Sequence, residues 1–165
     1  QKCRIILKMN TLTDESLMAA LVEAGQAGVQ IDLIVRGACM LPAQRAGFTD
    51  NIRVRSIIGR FLEHSRVFYF ASGKQESLYL SSADWMNRNM LRRVELAWPV
   101  EDPKLRQRIF HECLQTYLQD HVDAWVMHAN GQYVRATPPK SRSATVKVYT
   151  SAQQQLMTLY ANSKN

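Results

Sequence analysis

Two apolar runs separated by one amphipathic pattern constrain this chain most. CRIILKM at residues 3–9 and VQIDLIVR at residues 29–36 are close to continuously hydrophobic. Runs of this kind fit strands buried on both faces, as in parallel sheets. Between them Leu17, Ala20, Leu21 and Ala24 recur at helical spacing. Thr11 or Thr13 is placed to cap that helix, and Gly25 or Gly28 to end it. A strand, a helix and a second strand within 36 residues predict a right-handed βαβ unit. Ligands of open α/β sheets bind beyond the carboxyl ends of such strands. Arg36, closing the second run beside Gly37, is therefore a candidate binding residue.

The remaining pattern is shorter and more polar. A loop is expected over 37–50, a short strand over 52–56, and a short helix or turn over 57–63. Residues 66–71 and 77–81 read as a hairpin around Gly73, and 93–99 as a further strand. Asp102-Pro103 has the signature of a helix start, with an apolar face of Leu105, Ile109, Cys113 and Tyr117. Residues 141–147 are basic and polar, as in a loop or tail, and 151–160 read as a terminal helix.

Composition narrows the class. With 165 residues, 46% hydrophobic and 21% charged, the chain reads as a single globular domain with a sizeable core. Three widely spaced cysteines, Cys3, Cys39 and Cys113, suggest neither a disulfide framework nor a zinc site, and fit a reducing cytoplasm. No apolar run is long enough to cross a membrane. The chain opens on Gln1, close to its first strand, and reads as a piece of a larger protein.

The net charge of +7 is unevenly spread. Residues 1–50 carry five basic and five acidic side chains, whereas residues 51–93 carry eight basic and three acidic, a net of +5. That basic segment holds one histidine, His64, with Arg53, Arg55, Arg60, Arg66, Arg88, Arg92 and Arg93 around it in sequence. A strand ending in Ser81-Ser82-Ala83-Asp84 follows. Positive fields attract polyanions, and arginine grips phosphate oxygens through a planar fork. Histidine can carry a proton or a phosphoryl group near neutral pH. The segment thus has the residue types of a phosphoryl-handling site. Glu63, Asp84 and Glu95 are the carboxylates nearest in sequence, but they form no evident metal-ligand set.

KMNTLTD, IDLIVRG, NIRVRSIIGRFLEHSRVFYF, YLSSADWMNRN and RRVELAWPVEDPKLRQRI, in this order, resemble the C-terminal catalytic region of bacterial polyphosphate kinases. The resemblance runs from about residue 4 to about residue 109, and more weakly to about residue 148. It implies the second of two phospholipase D-like domains: an α/β fold with a mixed, largely parallel central sheet flanked by helices. It also implies reversible transfer of the terminal phosphate of ATP to inorganic polyphosphate with magnesium, through a phosphohistidine on the preceding domain. By this resemblance His64 is the partner histidine and Arg36 contacts nucleotide phosphates. Arg66, Ser81 and Ser82 would hold phosphate oxygens, and Arg55, Arg60 and Arg88 would line a polyphosphate path. The expected partners are ATP or ADP, polyphosphate and the rest of a parent chain. That parent would be cytoplasmic, in some settings membrane-associated, and a homo-oligomer that does not bind nucleic acid.

The sequence departs from the phospholipase D pattern, H-x-K-x4-D followed by G-S-x-N. His64 keeps the histidine, Arg66 stands in the lysine place, Ala71 in the aspartate place, and Ser81-Ser82-Ala83-Asp84 in the place of G-S-x-N. Loss of the aspartate removes a group that would orient the imidazole, which weighs against phosphodiester hydrolysis. Two other classes stand beside the kinase reading: a phosphodiesterase half-site and a basic module for nucleic acid or other polyanions. The second lacks any nucleic-acid motif and needs no histidine at its centre.

Overall fold

The computed structural model describes residues 3–138 and 149–162. Among the described residues eight strands form one sheet: β1 (Cys3–Met9), β2 (Gln30–Val35), β3 (Ile52–Ile57), β4 (Arg66–Ser72), β5 (Gln75–Ser81), β6 (Ala97–Pro99), β7 (Ala124–Met127) and β8 (Tyr133–Arg135). Their order across the sheet is β6-β5-β4-β1-β2-β3-β7-β8. The expected βαβ unit is present, with β1 and β2 parallel and α1 (Glu15–Gln26) between them. The sheet is mixed, as expected, but its parallel part is confined to the centre. Only β1–β2 and β2–β3 are parallel pairings; the other five are antiparallel. The apolar runs that signalled parallel sheet belong to these middle strands, whereas the hairpin and short strands add antiparallel wings.

Each face of the sheet has its own core. Leu7, Met9, Leu33, Val35, Val54 and Phe68 pack under Leu21 of α1. Ile6, Ile34, Ile57, Val67 and Tyr69 pack against Leu114, Tyr117 and Ala152 on the opposite side. That second layer starts with α3 (Pro103–Ile109), capped by the Asp102 side chain as its sequence predicts. It continues through a π-helical turn, Phe110–Gln115, into α4 (Thr116–Leu118), and is completed by α5 (Ala152–Asn162). In the wide turn the Thr116 N–H and hydroxyl both reach the carbonyl of His111, five residues back. Single π turns within helices often mark functional sites.

Several local expectations are corrected. The cap of α1 is Asp14, not Thr11 or Thr13; its carboxylate accepts from Leu17 N–H and the Ser16 hydroxyl. Residues 57–63 form no helix: after β3 they run irregularly to His64. The strand expected over 93–99 shrinks to Ala97–Pro99, and a short helix, α2 (Asn87–Arg92), precedes it. Strands β7 and β8 were not expected; Trp125 and Val134 on them are half-exposed, so the alternation that signals a strand is weak. Residues 141–147 lie outside the described residues.

Candidate functional site

The carboxyl ends of β1, β2 and β3 and the start of antiparallel β4 meet at one edge of the sheet. Asn10 and Thr11 leave β1 there, Arg36 and Gly37 leave β2, and residues 58–65 leave β3 and carry His64. Close backbone approach explains Gly37. Its N–H donates to the Asn10 carbonyl at 2.7 Å, and a Cβ at this position would stand 2.9 Å from that oxygen.

A chain of hydrogen bonds joins three of the expected site residues across this edge. Nε of Arg36 donates to Oδ1 of Asn10 at 3.3 Å. The Asn10 backbone N–H donates to Oδ1 of Asp84 at 2.7 Å, and that of Thr11 donates to the same oxygen at 3.3 Å. Arg66 meets the same carboxylate through Nε at 3.1 Å and Nη2 at 2.9 Å. Its remaining terminal nitrogen donates to the carbonyl of His64 at 3.4 Å. Asp84 is buried. Burial pushes its carboxyl up, but the bonds from Arg66 and Asn10 outweigh that push and hold it below the ordinary value. The imidazole of His64 is exposed and has no protein partner among the described residues. The Arg36 guanidinium, beyond its Nε contact, likewise keeps two terminal nitrogens without a protein partner there. Beside Arg36 opens a cavity of about 470 Å³, walled by Gly37, Ser56, Ile58, Trp125 and Tyr133.

The irregular segment before His64 is held from beneath. Glu63 accepts from Lys8 Nζ at 2.8 Å, from the Tyr117 hydroxyl at 3.0 Å and from Gln153 Nε2 at 2.7 Å. Lys8 is buried and its ammonium lies 3.5 Å above the centre of the Tyr117 ring. Burial, reinforced by the Glu63 carboxylate, raises the Tyr117 phenol and keeps it a donor. Tyr117 lies in α4, two residues past the π turn.

Ser81, Ser82 and Arg55 have their polar groups engaged by protein. The Ser81 hydroxyl donates to the Leu96 carbonyl and accepts from Ala83 N–H. The Ser82 hydroxyl donates to Glu95 and accepts from Leu96 N–H. Both serines thus brace the turn before β6. Arg55 donates to the carbonyls of Tyr117, Leu118 and Asp120, where α4 ends. Burial lowers its pKa, against the attraction of Asp32 and Asp120. Arg60 and Arg88 are exposed, with Arg60 lying 5.4 Å from the centre of the Phe61 ring. Glu63, Asp84 and Glu95 are each bonded to protein donors, and no cluster of three His, Cys, Asp or Glu exists among the described residues. These side chains do not fit a magnesium site. Sequence reasoning missed Asn10, Lys8, Tyr117 and Gln153 as site-building residues. Lys8 interrupting an otherwise apolar strand run was the available signal for that residue; Asn10 follows directly on the run's end.

A mixed eight-stranded sheet covered by helices on both faces is a phospholipase D-like fold. A phospholipase D family member, Nuc from Salmonella typhimurium, shares this fold with a TM-score of 0.54 at 17% identity, over 81% of this chain and 82% of that one. The family model for polyphosphate kinase C-terminal domain 2 matches residues 1–147, so the chain belongs to the polyphosphate kinase family. The polyphosphate kinase of Paraburkholderia phytofirmans is 53% identical over 141 residues, covering 86% of this chain and 20% of the relative. The crystal structure of polyphosphate kinase from Porphyromonas gingivalis superposes with a TM-score of 0.88 at 35% identity, over 99% of this chain and 24% of that one. The chain spans about a fifth of the length of the curated relatives it matches. Among the described residues no helix is long and apolar enough to cross a membrane.

Proposed function

We propose that this chain forms one wall of the active site of an ATP:polyphosphate phosphotransferase, completed by the preceding domain of its parent. The observation that carries the reading is the hydrogen-bonded row Arg36–Asn10–Asp84–Arg66–His64 at the carboxyl edge of the parallel strands. It leaves the His64 imidazole and two terminal nitrogens of Arg36 available to a ligand while holding the His64 carbonyl and the Arg36 Nε. Arg36 grips phosphate oxygens of ATP, and the cavity beside it admits part of the nucleotide.

A histidine of the preceding domain attacks the terminal phosphorus. The bond to the β-phosphate oxygen breaks and a nitrogen–phosphorus bond forms. His64 donates a proton or a hydrogen bond to the departing oxygen, and Arg36 balances the charge that gathers there. In the second half-reaction a terminal oxygen of polyphosphate attacks the same phosphorus and the nitrogen–phosphorus bond breaks. Positioning and charge dominate such transfers. The exposed Arg60 and Arg88 contribute field along the polyphosphate path, with binding that weakens as salt rises, by analogy with nucleic acid. Arg66 acts mainly on the peptide of His64, because Asp84 already balances its charge. The parent is read as a cytoplasmic homo-oligomer, and ATP brings its own magnesium as the complexed substrate.

The phosphodiesterase reading shares the fold. However, Ala71 on β4 supplies no carboxylate, and Arg66 and Asp84 close on each other rather than on a phosphodiester. Two assays on the 165-residue chain and its full-length parent test the proposal: ATP-dependent polyphosphate formation and cleavage of a chromogenic phosphodiester. The expected result is synthesis by the parent alone and diester cleavage by neither. Diester cleavage by the parent, or robust synthesis by the isolated chain, would overturn it.

A further inference from the structure

We infer that Gln153, on the terminal helix α5, is a positioning residue that sets where His64 stands; the inference rests on the role proposed for His64. Residues 58–65 have neither helix nor strand to define them, so side chains must hold this backbone. Gln153 is 5% exposed, unusual for a glutamine, and its amide is used on both sides. Oε1 accepts from the Phe61 N–H at 2.8 Å, while Nε2 donates to the Phe61 carbonyl at 2.8 Å and to Glu63 Oε1 at 2.7 Å. One side chain thus pairs with both backbone polar groups of one residue, Phe61, as a neighbouring antiparallel strand would. It also grips the residue immediately before His64.

The anchor is itself fixed. The carboxylate of Asp120, fully buried, accepts from Ala152 N–H at 2.7 Å and from Val122 and Asp123 N–H at 2.7 and 2.8 Å. That pins the start of α5 to the chain between α4 and β7. Lys8 and Tyr117 complete the cradle around Glu63. Gly59 leaves room for it: a Cβ there would lie 2.6 Å from Gln153 Oε1. Helix α5 begins after residue 147, where the match to the family model ends, so the element that places His64 lies outside the segment defining the family.

Phosphoryl transfer is sensitive to placement, and a displacement of about 1 Å can lower rate about 100-fold. The test uses the full-length kinase carrying Gln153→Met, which keeps the stem and removes the amide. Turnover should fall by about 10- to 100-fold with the KM for ATP within about twofold of wild type. Hydrogen exchange should accelerate over 58–65 and stay unchanged in β1 and β2. In a His64→Ala background, Gln153→Met should cause no further loss of turnover. Gly59→Ala, which crowds the amide without removing it, should reproduce the turnover loss if Gln153→Met fails to fold.

Wild-type turnover in Gln153→Met despite faster exchange over 58–65 overturns the inference. So does an undiminished loss in the His64→Ala background, which would mean the effect travels by another route. A loss in His64→Ala with none in Gln153→Met contradicts this inference alone. Wild-type turnover in His64→Ala removes the catalytic reading of His64, and the positioning role with it.

Discussion

Arg66 and Asp84 face each other in a two-point ion pair, Nε to Oδ1 at 3.1 Å and Nη2 to Oδ2 at 2.9 Å, with both side chains largely buried. By resemblance to the phospholipase D pattern, they stand where it has a lysine and an asparagine. A cation and a neutral amide there would both donate to a bound phosphate. An arginine and a carboxylate satisfy each other instead, so the pair becomes part of the frame that holds β1, β4 and the turn after β5.

That frame should respond to mutation and acid. Asp84→Ala strands Arg66 and the N–H groups of Asn10 and Thr11, and should destabilise the chain by about 3 kcal/mol, at the lower end for buried pairs because the edge is partly wet. Asp84 has a depressed folded-state pKa, so its contribution is present above its ordinary value of 3.8 and disappears as pH falls through the lower folded value. Urea midpoints between about pH 6 and pH 3 should therefore converge for wild type and Asp84→Ala toward the acid end. A gap that widens on acidification would contradict this assignment.

Lys8 and Glu63 make a second buried pair, with side chains 4% and 11% exposed. Glu63→Gln removes the charge facing a lysine that cannot reach water, and should lower stability by about 3–5 kcal/mol. Lys8→Met with Glu63→Gln should recover most of the loss, since no charge is then left unpaired. Urea unfolding of the four members of this cycle measures it; a double variant as unstable as the sum of the singles would count against a coupled pair.

Arg36 and Arg55 look alike in sequence and should behave differently. Arg36→Lys keeps the charge and loses the fork, so in the full-length enzyme it should cost about 1–3 kcal/mol in kcat/KM for ATP with little change in stability. Arg55→Gln should chiefly lower the melting temperature, because its guanidinium closes the end of α4 on three carbonyls. If Arg55→Gln abolishes ATP use in a stably folded enzyme while Arg36→Lys does not, the two roles are reversed.

The parts of this molecule legible in the sequence are those governed by local pattern. Apolar runs located β1 and β2, helical spacing α1, and turn signals the β4–β5 hairpin around Gly73, whose φ of 63° permits the tight turn. Asp102-Pro103 located α3. Strand β6 was legible only in part, within the longer strand expected over 93–99, and β7 and β8 were not, since strands of three or four residues gain their partners only in the folded sheet. Arg36 and His64 could be singled out by residue type and position. The fates of Arg55, Ser81 and Ser82 could not, because they depend on carbonyls and turns far away in sequence. Gln153 was invisible for the same reason: its target, Phe61, lies 92 residues earlier and offers only backbone atoms.

The most direct measurement of the central claim is the turnover of full-length kinase carrying His64→Ala, with polyphosphate formation from ATP followed under saturating substrate. His64 is exposed at the sheet edge, so the fold and melting temperature should be unchanged. Turnover should fall by about 10²–10⁴, the range of acid–base residues. Turnover within a few-fold of wild type in that folded variant would contradict it.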